Sequence, residues 1–333
     1  MELTTRINIP KNQEHISHSN RLLLLGSCFA DEIGTRLRHD KFDAMVNPFG
    51  TLYNPASICA HLLRSLSERE YDANSPELIE SEAIWHSWMH HSTFSCDDRD
   101  ELVSRMNTAL HTTAERLRTA DWLLLTFGTS YVYRLKANDL LVANCHKQPD
   151  ALFVRQRMAA YDIVDMFTTA LQLLQAVNPK LHVVLTVSPI RHSRDGMHEN
   201  QLSKAELLLA TDALSQRSTL NSQLYYFPAY ELLLDELRDY RFYGDDLVHP
   251  SALAADYIYE RFCDTFVTPD EQALSAQCRQ IQRALEHRPF RADSPQHRQF
   301  ISKTYDQIQQ LTAAHPCLDM AAEIALCNTL LKK

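Results

Sequence analysis

Short apolar runs alternate with longer segments in which apolar residues recur every three or four positions, up to about residue 227. Apolar runs of four to eight residues are typical of buried strands, and the wider spacing is typical of helices. The pattern predicts strands at residues 22–25, 44–46, 122–127, 183–187 and 224–227. It predicts helices over about 29–39, 56–66, 98–119, 158–176 and 201–218, and a hairpin formed by "YVYRL" and "LLVAN".

Strands that alternate with helices indicate a mostly parallel sheet with helices on both faces, a three-layer α/β/α fold. From Thr268 the pattern changes, because "TPDE" has the sequence of a helix start with a capping box and only helical segments follow. We therefore predict an α/β/α domain over residues 1–267 and a helical extension over 268–333. Residues 71–97 form an insertion that is acidic first and then rich in Trp and His, expected to cover part of the core or, alternatively, to form a lid.

The charge balance narrows the classes of partner. The 333 residues carry a formal net charge of -9 with 45% hydrophobic residues, as in ordinary soluble globular proteins. An acidic chain argues against nucleic acid and against anionic membrane surfaces as partners. The N-terminus, "MELTTRINIP", lacks a signal-peptide pattern, and the apolar runs are too short to span a bilayer. We expect a cytoplasmic protein with no membrane partner and leave its oligomeric state open.

The numbers and spacing of cysteine and glycine indicate the state of the thiols and where the backbone needs an unusual conformation. The eight cysteines show no C-x-x-C spacing, so most are expected to be reduced, buried thiols. The six glycines are far fewer than the roughly twenty expected for a chain of this length. A sequence so poor in glycine is expected to keep it where the backbone geometry requires it.

Polar residues follow the predicted strands, where ligands bind in open α/β sheets. The residues that follow successive strands are Gly26, Ser27 and Cys28; Gly50 and Asn54; Gly128, Thr129 and Ser130; Arg191 and His192; and finally Asp246 and His249. Because the carboxyl ends of parallel strands meet at one edge, we expect these residues to converge.

A nucleophile, a histidine and a carboxylate are among them. A thiol or hydroxyl on a strand-to-helix turn lies near backbone N–H groups and the positive end of the helix dipole, which favour a developing anion. A histidine can accept the proton of the nucleophile, and a carboxylate can orient that histidine. The D-x-x-H spacing of Asp246 and His249 allows both side chains to lie on one side of a loop.

The blocks "LLGSCFAD", "NPFGTLYNP", "LTFGTSYVYR", "NCHKQP", "TVSPIRH", "SKAELL" and "YRFYGDDLVHPS" cover roughly residues 20–265. In this order they resemble the SGNH/GDSL hydrolase superfamily, and "GSCFA" resembles the signature of the GSCFA-domain family within it. The resemblance implies a flavodoxin-like α/β/α domain in which the final D-x-x-H supplies the acid and base.

Two positions depart from the superfamily pattern. Cys28 stands where the superfamily has its nucleophilic serine, and Ser130 stands where its third block has the oxyanion-binding asparagine. The nucleophile is therefore Cys28 or, if the alignment slips by one residue, Ser27. Physical chemistry favours Cys28, because a helix N-terminus and an adjacent imidazolium lower the pKa of a thiol.

Further residues are assigned to the predicted site. The backbone of Cys28 and Gly50, together with Ser130, would hold the oxyanion, and Asn54, Gly128, Thr129 and His192 would line the substrate pocket. Arg191 suits a carboxylate or phosphate on the substrate. A second polar cluster, Asn144, Cys145 and His146, is expected at the pocket rim.

The sequence therefore predicts a hydrolase or acyltransferase that acts on an ester or thioester through an acyl-enzyme, without a cofactor. Its substrate would be a small molecule or an acyl carrier. One alternative is a noncatalytic binding module that keeps the pocket. The other is a metal-dependent enzyme with Cys28, Cys145, His146 and His249 as zinc ligands.

Overall fold

A five-stranded, mostly parallel sheet forms the core of the larger of two compact units in this computed structural model. The structure describes residues 5–216, 223–287, 289–291 and 294–332 and, at residue 195, the backbone alone. The larger unit comprises the described residues of segments 1–10, 21–34 and 44–260, and the smaller unit those of segments 11–20, 35–43 and 261–333.

The strands of the described chain are β1 (Arg21–Gly26), β2 (Asp43–Val46), β3 (Leu78–Ser81), β4 (Ile84–Ser87), β5 (Trp122–Phe127), β6 (Tyr131–Leu135), β7 (Leu141–Val142), β8 (Phe153–Arg157), β9 (His182–Val187) and β10 (Leu224–Phe227). The main sheet has the order β10–β9–β5–β1–β2, and β1, β5, β9 and β10 pair in parallel. Numbered along the chain, its strands follow the flavodoxin-like order 2-1-3-4-5. All five predicted core strands are confirmed.

The register explains why both faces of the sheet are apolar. Leu23, Leu123 and Val183 lie side by side on one face and belong to a single core cluster with residues of the flanking helices. Leu22 and Leu124, which point to the opposite face, are also buried. A parallel strand buried on both faces reads as a continuous apolar run, which is why "RLLLLG" and "WLLLTF" carry no alternation. The predicted three-layer α/β/α class is confirmed.

The helices of the described chain are α1 (Cys28–His39), α2 (Pro55–Ser67), α3 (Arg99–Thr119), α4 (Ala160–Val177), α5 (Met197–Ser215), α6 (Ala229–Glu231), α7 (Ala252–Phe266), α8 (Pro269–Glu286), α9 (Pro295–Ala314) and α10 (Ala321–Leu331). A π-helical segment, Leu232–Leu237, follows α6 directly. The predicted helix over 201–218 begins four residues earlier than expected, and its residues 217–218 lie outside the described residues.

Two small sheets were not fully anticipated. Strands β3 and β4 form a hairpin inside the predicted 71–97 insertion. The predicted hairpin of β6 and β7 gains a third strand, β8, which pairs antiparallel with β6 and displaces the start of α4 to Ala160. The segment "FVRQR" shows no apolar–polar alternation, because its two apolar residues are adjacent and three polar residues follow, so the sequence does not predict a strand there.

The helical segment predicted after Thr268 consists of α8, α9 and α10, which share an apolar cluster. Thr268 caps α8 through the backbone N–H of Glu271, as its capping-box sequence indicates. Of the eight cysteines, Cys59, Cys278 and Cys327 are buried, whereas Cys317 is exposed between α9 and α10. In the described part of the chain, no helix has the length and apolar character needed to cross a membrane.

Candidate active site

A cleft of about 390 Å³ lies at the carboxyl edge of the main sheet. Its walls come from the loops that follow β1, β2, β5, β9 and β10, and from the small sheet of β6 and β8. Its lining residues are Cys28, Tyr53, Asn54, Thr129, Tyr131, Tyr133, Ala143, Arg155, Ile190, Arg191, His192, Ser193, Arg194, Val248 and His249. A cleft of this size accommodates a small molecule.

The turn after β1 places Cys28 at the first residue of α1. Gly26 has φ of +148°, and a Cβ there would lie 2.2 Å from the carbonyl oxygen of Thr126 on the neighbouring strand. The N–H of Ser27 donates to the same oxygen at 3.1 Å. Only glycine permits this close approach, so the backbone turns sharply and the chain enters the helix at Cys28.

The two candidate nucleophiles differ in exposure. Ser27 is 1% exposed and does not line the cleft. The Sγ of Cys28 lines the cleft and lies 3.8 Å from Nε2 of His249, within reach for a weak thiol hydrogen bond. Cys28 therefore has access both to the cleft and to a proton acceptor.

Asp246 holds His249 from the other side. Its Oδ2 lies 2.6 Å from Nδ1 of His249, and its Oδ1 accepts the backbone N–H groups of Val248 and His249. These hydrogen bonds lower the pKa of Asp246 to about 2, which keeps it a carboxylate. A carboxylate at Nδ1 fixes the tautomer that leaves Nε2 to accept a proton from Cys28.

The resting thiol is neutral, contrary to the expectation of a lowered pKa. Burial raises the pKa of Cys28 to about 11. The backbone N–H of Cys28 lowers this pKa, and to a smaller extent so does the positive charge of Lys204. The negative charges of Asp31 and Glu32 raise it further. Desolvation outweighs the helix N-terminus here, so the thiol needs a general base to become a nucleophile.

The loop that carries His249 is fixed by Arg191. The backbone N–H of Arg191 donates to the carbonyl of Val248 at 3.2 Å, and its guanidinium lies 4.0 Å from the ring centroid of Tyr243. Nη1 of Arg191 is 3.5 Å from the carbonyl oxygen of Leu247. Arg191 thus connects the end of β9 to the loop that carries Asp246 and His249.

Asn54 contributes an amide to the cleft. Its Oδ1 accepts the N–H of Ser57 at 2.8 Å and caps α2. Because that bond assigns the oxygen to the cap, the NH₂ of Asn54 is the donor that remains to meet a ligand.

Lys204 is a buried cation behind the cleft. It is 1% exposed, and its Nζ donates to the carbonyls of Gly128 and Ser188, each at 2.6 Å. It therefore joins the ends of β5 and β9. No carboxylate contacts it among the described residues, and burial lowers its pKa to about 7.

His192 supplies an uncharged surface to the cleft. Burial and the nearby charge of Lys204 lower its pKa to about 4, so its imidazole is neutral at pH 7. Its Nε2 lies close to Gly128, at 3.5 Å from where a Cβ of that residue would stand.

Two protein-family models match this chain, and together they cover most of its length. The GSCFA family model covers residues 21–262, which include Cys28, Asp246 and His249. This chain belongs to the GSCFA family. The C-terminal domain model of GSCFA proteins covers residues 278–333, within the helical segment. A search of curated proteins found no match to the chain.

Gly50 and Ser130, which the sequence analysis assigned to the oxyanion site, use their hydrogen-bond donors for other contacts. The N–H of Gly50 already donates to the carbonyl of Asn47 at 2.7 Å. Ser130 is fully buried, and both its backbone N–H and its hydroxyl contact Oγ of Ser203. Thr129 lines the cleft as expected, although its hydroxyl also contacts Ser203. Gly128 does not line the cleft and donates its N–H to Tyr53 instead.

The second polar cluster of this GSCFA chain lies outside the lining of the cleft. Asn144 uses Oδ1 to accept the N–H of His146, and Nε2 of His146 lies 2.7 Å from the carbonyl of Ser87. Cys145 packs against an apolar cluster around Trp88. Among the described residues, no three His, Cys, Asp or Glu side chains form a group that could hold a metal ion. The four residues of the zinc alternative are thus not gathered at one point.

Three residues of this GSCFA site were missed in the sequence. Asn47 accepts the N–H of Gly26 and donates to Asp31, Lys204 lies in the middle of a helix, and Arg155 lies on the unpredicted strand β8. The quoted blocks "NPFGTLYNP" and "SKAELL" contain the first two. Lys204 lies on the same face of its helix as the buried residues Asn200 and Leu207. This position, three or four residues from its neighbours on the core face, was the signal in the sequence for a buried lysine.

Proposed function

We propose that this GSCFA protein is an SGNH-like hydrolase or acyltransferase that forms an acyl-enzyme on Cys28. The observation that carries the proposal is the relay from Cys28 Sγ through His249 to Asp246, open to a cleft of small-molecule size. The substrate class is an ester or thioester, and the acceptor of the acyl group is water or a second small molecule.

The raised pKa of Cys28 determines how the relay would act. Because the thiol is protonated at neutral pH, Nε2 of His249 takes its proton as Sγ attacks the carbonyl carbon. The new S–C bond forms, the carbonyl π-electrons move to oxygen, and Asp246 stabilises the resulting imidazolium. His249 then donates the proton to the leaving group as the C–O or C–S bond breaks.

The backbone N–H of Cys28, at the start of α1, and the amide NH₂ of Asn54 are the donors proposed for the oxyanion. Both residues line the cleft, and the helix dipole favours negative charge at this end. They take the role that Gly50 and Ser130 held in the sequence-based hypothesis.

The test is covalent trapping. The protein is incubated with para-nitrophenyl acetate, and the adduct is located by intact-mass and peptide mass spectrometry. We expect an acetyl group on Cys28, none in Cys28→Ala, and normal labelling in the matched control Ser27→Ala. An adduct on Ser27, or labelling by a fluorophosphonate that Ser27→Ala abolishes, would contradict the assignment to Cys28.

A noncatalytic binding module is the second candidate. The neutral resting thiol and the 3.8 Å separation between Sγ and Nε2 favour it, because neither describes a preformed thiolate–imidazolium pair. Ligand that saturates the cleft without any adduct on Cys28, over a pH range from 6 to 9, would support this second function.

A further inference from the structure

One face of α5 is polar although it is buried. Asn200, Ser203 and Lys204 are each at most 2% exposed, and their spacing of three and four residues from Asn200 places them on one side of the helix. Buried polar side chains are costly unless hydrogen bonds satisfy them. The partners of this face therefore show what it is for.

Those partners are the loops that form the cleft. Oδ1 of Asn200 accepts the backbone N–H of His192 at 2.9 Å, and Oγ of Ser203 lies 3.0 Å from Oγ1 of Thr129. Nζ of Lys204 donates to the carbonyls that directly follow β5 and β9. Because His192 and Thr129 line the cleft, the polar face of α5 holds the walls of the site from behind.

Lys204 differs from its two neighbours because it brings a charge close to Cys28. Its Nζ is 2.6 Å from the carbonyl oxygen of Gly128, and a Cβ at Gly128 would lie 3.1 Å from Cβ of Ser27, the residue before Cys28. Burial dominates the pKa values of both Cys28 and Lys204, and each group also favours the charged form of the other. In the described part of the chain, no carboxylate forms an ion pair with Lys204.

We propose that Lys204 is a positioning residue of this site, whose ammonium fixes the loops after β5 and β9 and favours negative charge on Sγ of Cys28 as it attacks. The inference rests on the proposed function, since it takes Cys28 as the nucleophile. A charge in a water-poor site acts strongly on a developing anion, and it needs no reorganisation when carbonyls already hold it in place. Lys204 does not line the cleft, so it acts through Cys28 and not on the substrate directly.

The charge of Lys204 changes near neutral pH, because burial lowers its pKa to about 7. From the elements packed against it, the titratable groups that face it are Cys28 of α1, His192 after β9 and Tyr230 of α6, whose ring centroid is 5.7 Å from Nζ. Burial lowers the pKa of His192 to about 4 and raises those of Cys28 and Tyr230 to about 11 and about 12. Of these four groups, Lys204 is the one that changes charge between pH 6.5 and pH 9.

The test measures the reactivity of the Cys28 thiol directly. The reagent 4,4′-dithiodipyridine converts thiolates to mixed disulfides, and peptide mass spectrometry follows its reaction at Cys28 in the full chain at pH 6.5 and pH 9. In Lys204→Met, we expect the reaction at pH 6.5 to be about five to ten times slower than in the wild type, which corresponds to a rise of about one unit in the pKa of the thiol. At pH 9, where Lys204 has lost its proton in the wild type, the two rates should differ by less than about twofold.

Two further variants separate charge from packing. Lys204→Gln keeps an amide that can donate to the carbonyls of Gly128 and Ser188 but carries no charge, so it should be as slow as Lys204→Met at pH 6.5. Ser203→Ala is the matched control, because it removes the contact with Thr129 and leaves the charge in place. Its ratio of rates between the two pH values should equal that of the wild type. Thermal denaturation shows which variants are folded, and Lys204→Gln carries the test if Lys204→Met is not.

Three results would overturn the inference. The first is a wild-type rate in Lys204→Gln at pH 6.5, because hydrogen bonding alone would then account for the lysine. The second is a deficit of the same size at both pH values, which would assign it to lost packing. The third is a faster reaction in Lys204→Met, since loosened loops would hydrate the thiol and lower its pKa.

The acetyl adduct from para-nitrophenyl acetate is measured separately, so that the two proposals can fail independently. If Cys28 takes up no acetyl group and its thiol reactivity still follows the charge of Lys204, only the proposed function fails. If Cys28 is acetylated and its reactivity does not depend on Lys204, only the role of Lys204 fails.

Discussion

Two buried charged residues, Asp40 in the smaller unit and Lys204 in the larger, are held in opposite ways. In the smaller unit, Asp40 is 2% exposed and pairs with Arg279 at 2.5 Å, and the buried His18 contacts Glu271. In the larger unit, Lys204 is equally buried, yet its partners are two backbone carbonyls and not a carboxylate.

The contrast separates structural charges from candidate functional ones. A buried ion pair satisfies its own electrostatics and leaves nothing for a ligand. The cleft of the larger unit is instead lined by Arg155 and Arg191, and the buried Lys204 lies behind it, close enough to Cys28 to affect the pKa of its thiol. A buried ammonium whose hydrogen-bond partners are carbonyls, as at Lys204, is costly to maintain, and an oxyanion formed in the cleft would offset part of that cost.

The largest effect is expected from Asp246→Asn. An amide at this position cannot stabilise an imidazolium and favours the wrong tautomer of His249, so acylation of Cys28 should slow by about a thousandfold or more. The measurement is the rate of para-nitrophenol release under single-turnover conditions. The thermal midpoint should hardly change, because both side chains are half-exposed, and a loss of rate matched by unfolding would contradict this interpretation.

The next effect concerns the paired charges of the smaller unit. Arg279→Met should destabilise the protein by about 3 kcal/mol, since it removes the guanidinium that pairs with the buried carboxylate of Asp40. This is the lower end of the range for a broken buried pair, because Arg279 is 35% exposed. Urea denaturation gives the value. Acylation of Cys28 in the folded variant should be unchanged. A smaller loss in Asp40→Leu combined with Arg279→Met would show that the cost comes from the carboxylate that has lost this guanidinium.

His61 is a buried histidine of the larger unit whose protonation should destabilise the protein. Burial lowers the pKa of His61 to about 4 from an unfolded value near 6.5, so the unfolded state binds more protons between these two values. Stability is then lost as pH falls, by about 2 kcal/mol between pH 7 and pH 5. His61→Gln, which can still donate to the carbonyl of Met89, should show a shallower loss in urea titrations at the two pH values. Identical slopes would contradict the assignment.

The smallest effect is expected from the titration of Lys204. Its folded pKa, about 7, lies below the unfolded value near 10.5, so the folded state binds fewer protons between them. Stability from this group therefore rises with pH over that window, by about 1 kcal/mol between pH 7 and pH 8. Lys204→Met, which also leaves the carbonyls of Gly128 and Ser188 unpaired, should lack this rise. A rise of equal size in the variant would assign it to another group.

The periodic elements were predictable because each is encoded locally. The apolar runs of β1 and β5 and the capping-box sequence at Thr268 have only one physical interpretation within a chain of this size. Strand β8 was not predicted because "FVRQR" has no apolar–polar alternation: Phe153 packs in an apolar cluster, whereas Arg155 on the same face lines the cleft. Its Arg155 could not be assigned to the site without that strand.

The site was predictable in its residues but not in their roles. The sequence brought Cys28, Asp246 and His249 together through their positions after strands, and the distances agree with that grouping. Gly50 and Ser130 follow strands as well, yet their N–H groups are consumed by Asn47 and Ser203. The position of a residue after a strand places it at the carboxyl edge of the sheet. Which of its hydrogen-bonding groups can reach a ligand depends on the hydrogen bonds that it makes with neighbouring loops.

By itself, the sequence determined the five strands of the main sheet, the helical C-terminal segment and the strand-to-helix turn at Gly26, since backbone preference and apolar periodicity act over a few residues. The tertiary structure alone decided that Ser27 is buried while Cys28 reaches the cleft, and that desolvation raises the pKa of this thiol. It also decided that Arg155 lines the cleft and that Lys204 lies buried behind it. Burial and charge proximity are sums over residues distant in the chain, and no local pattern encodes them.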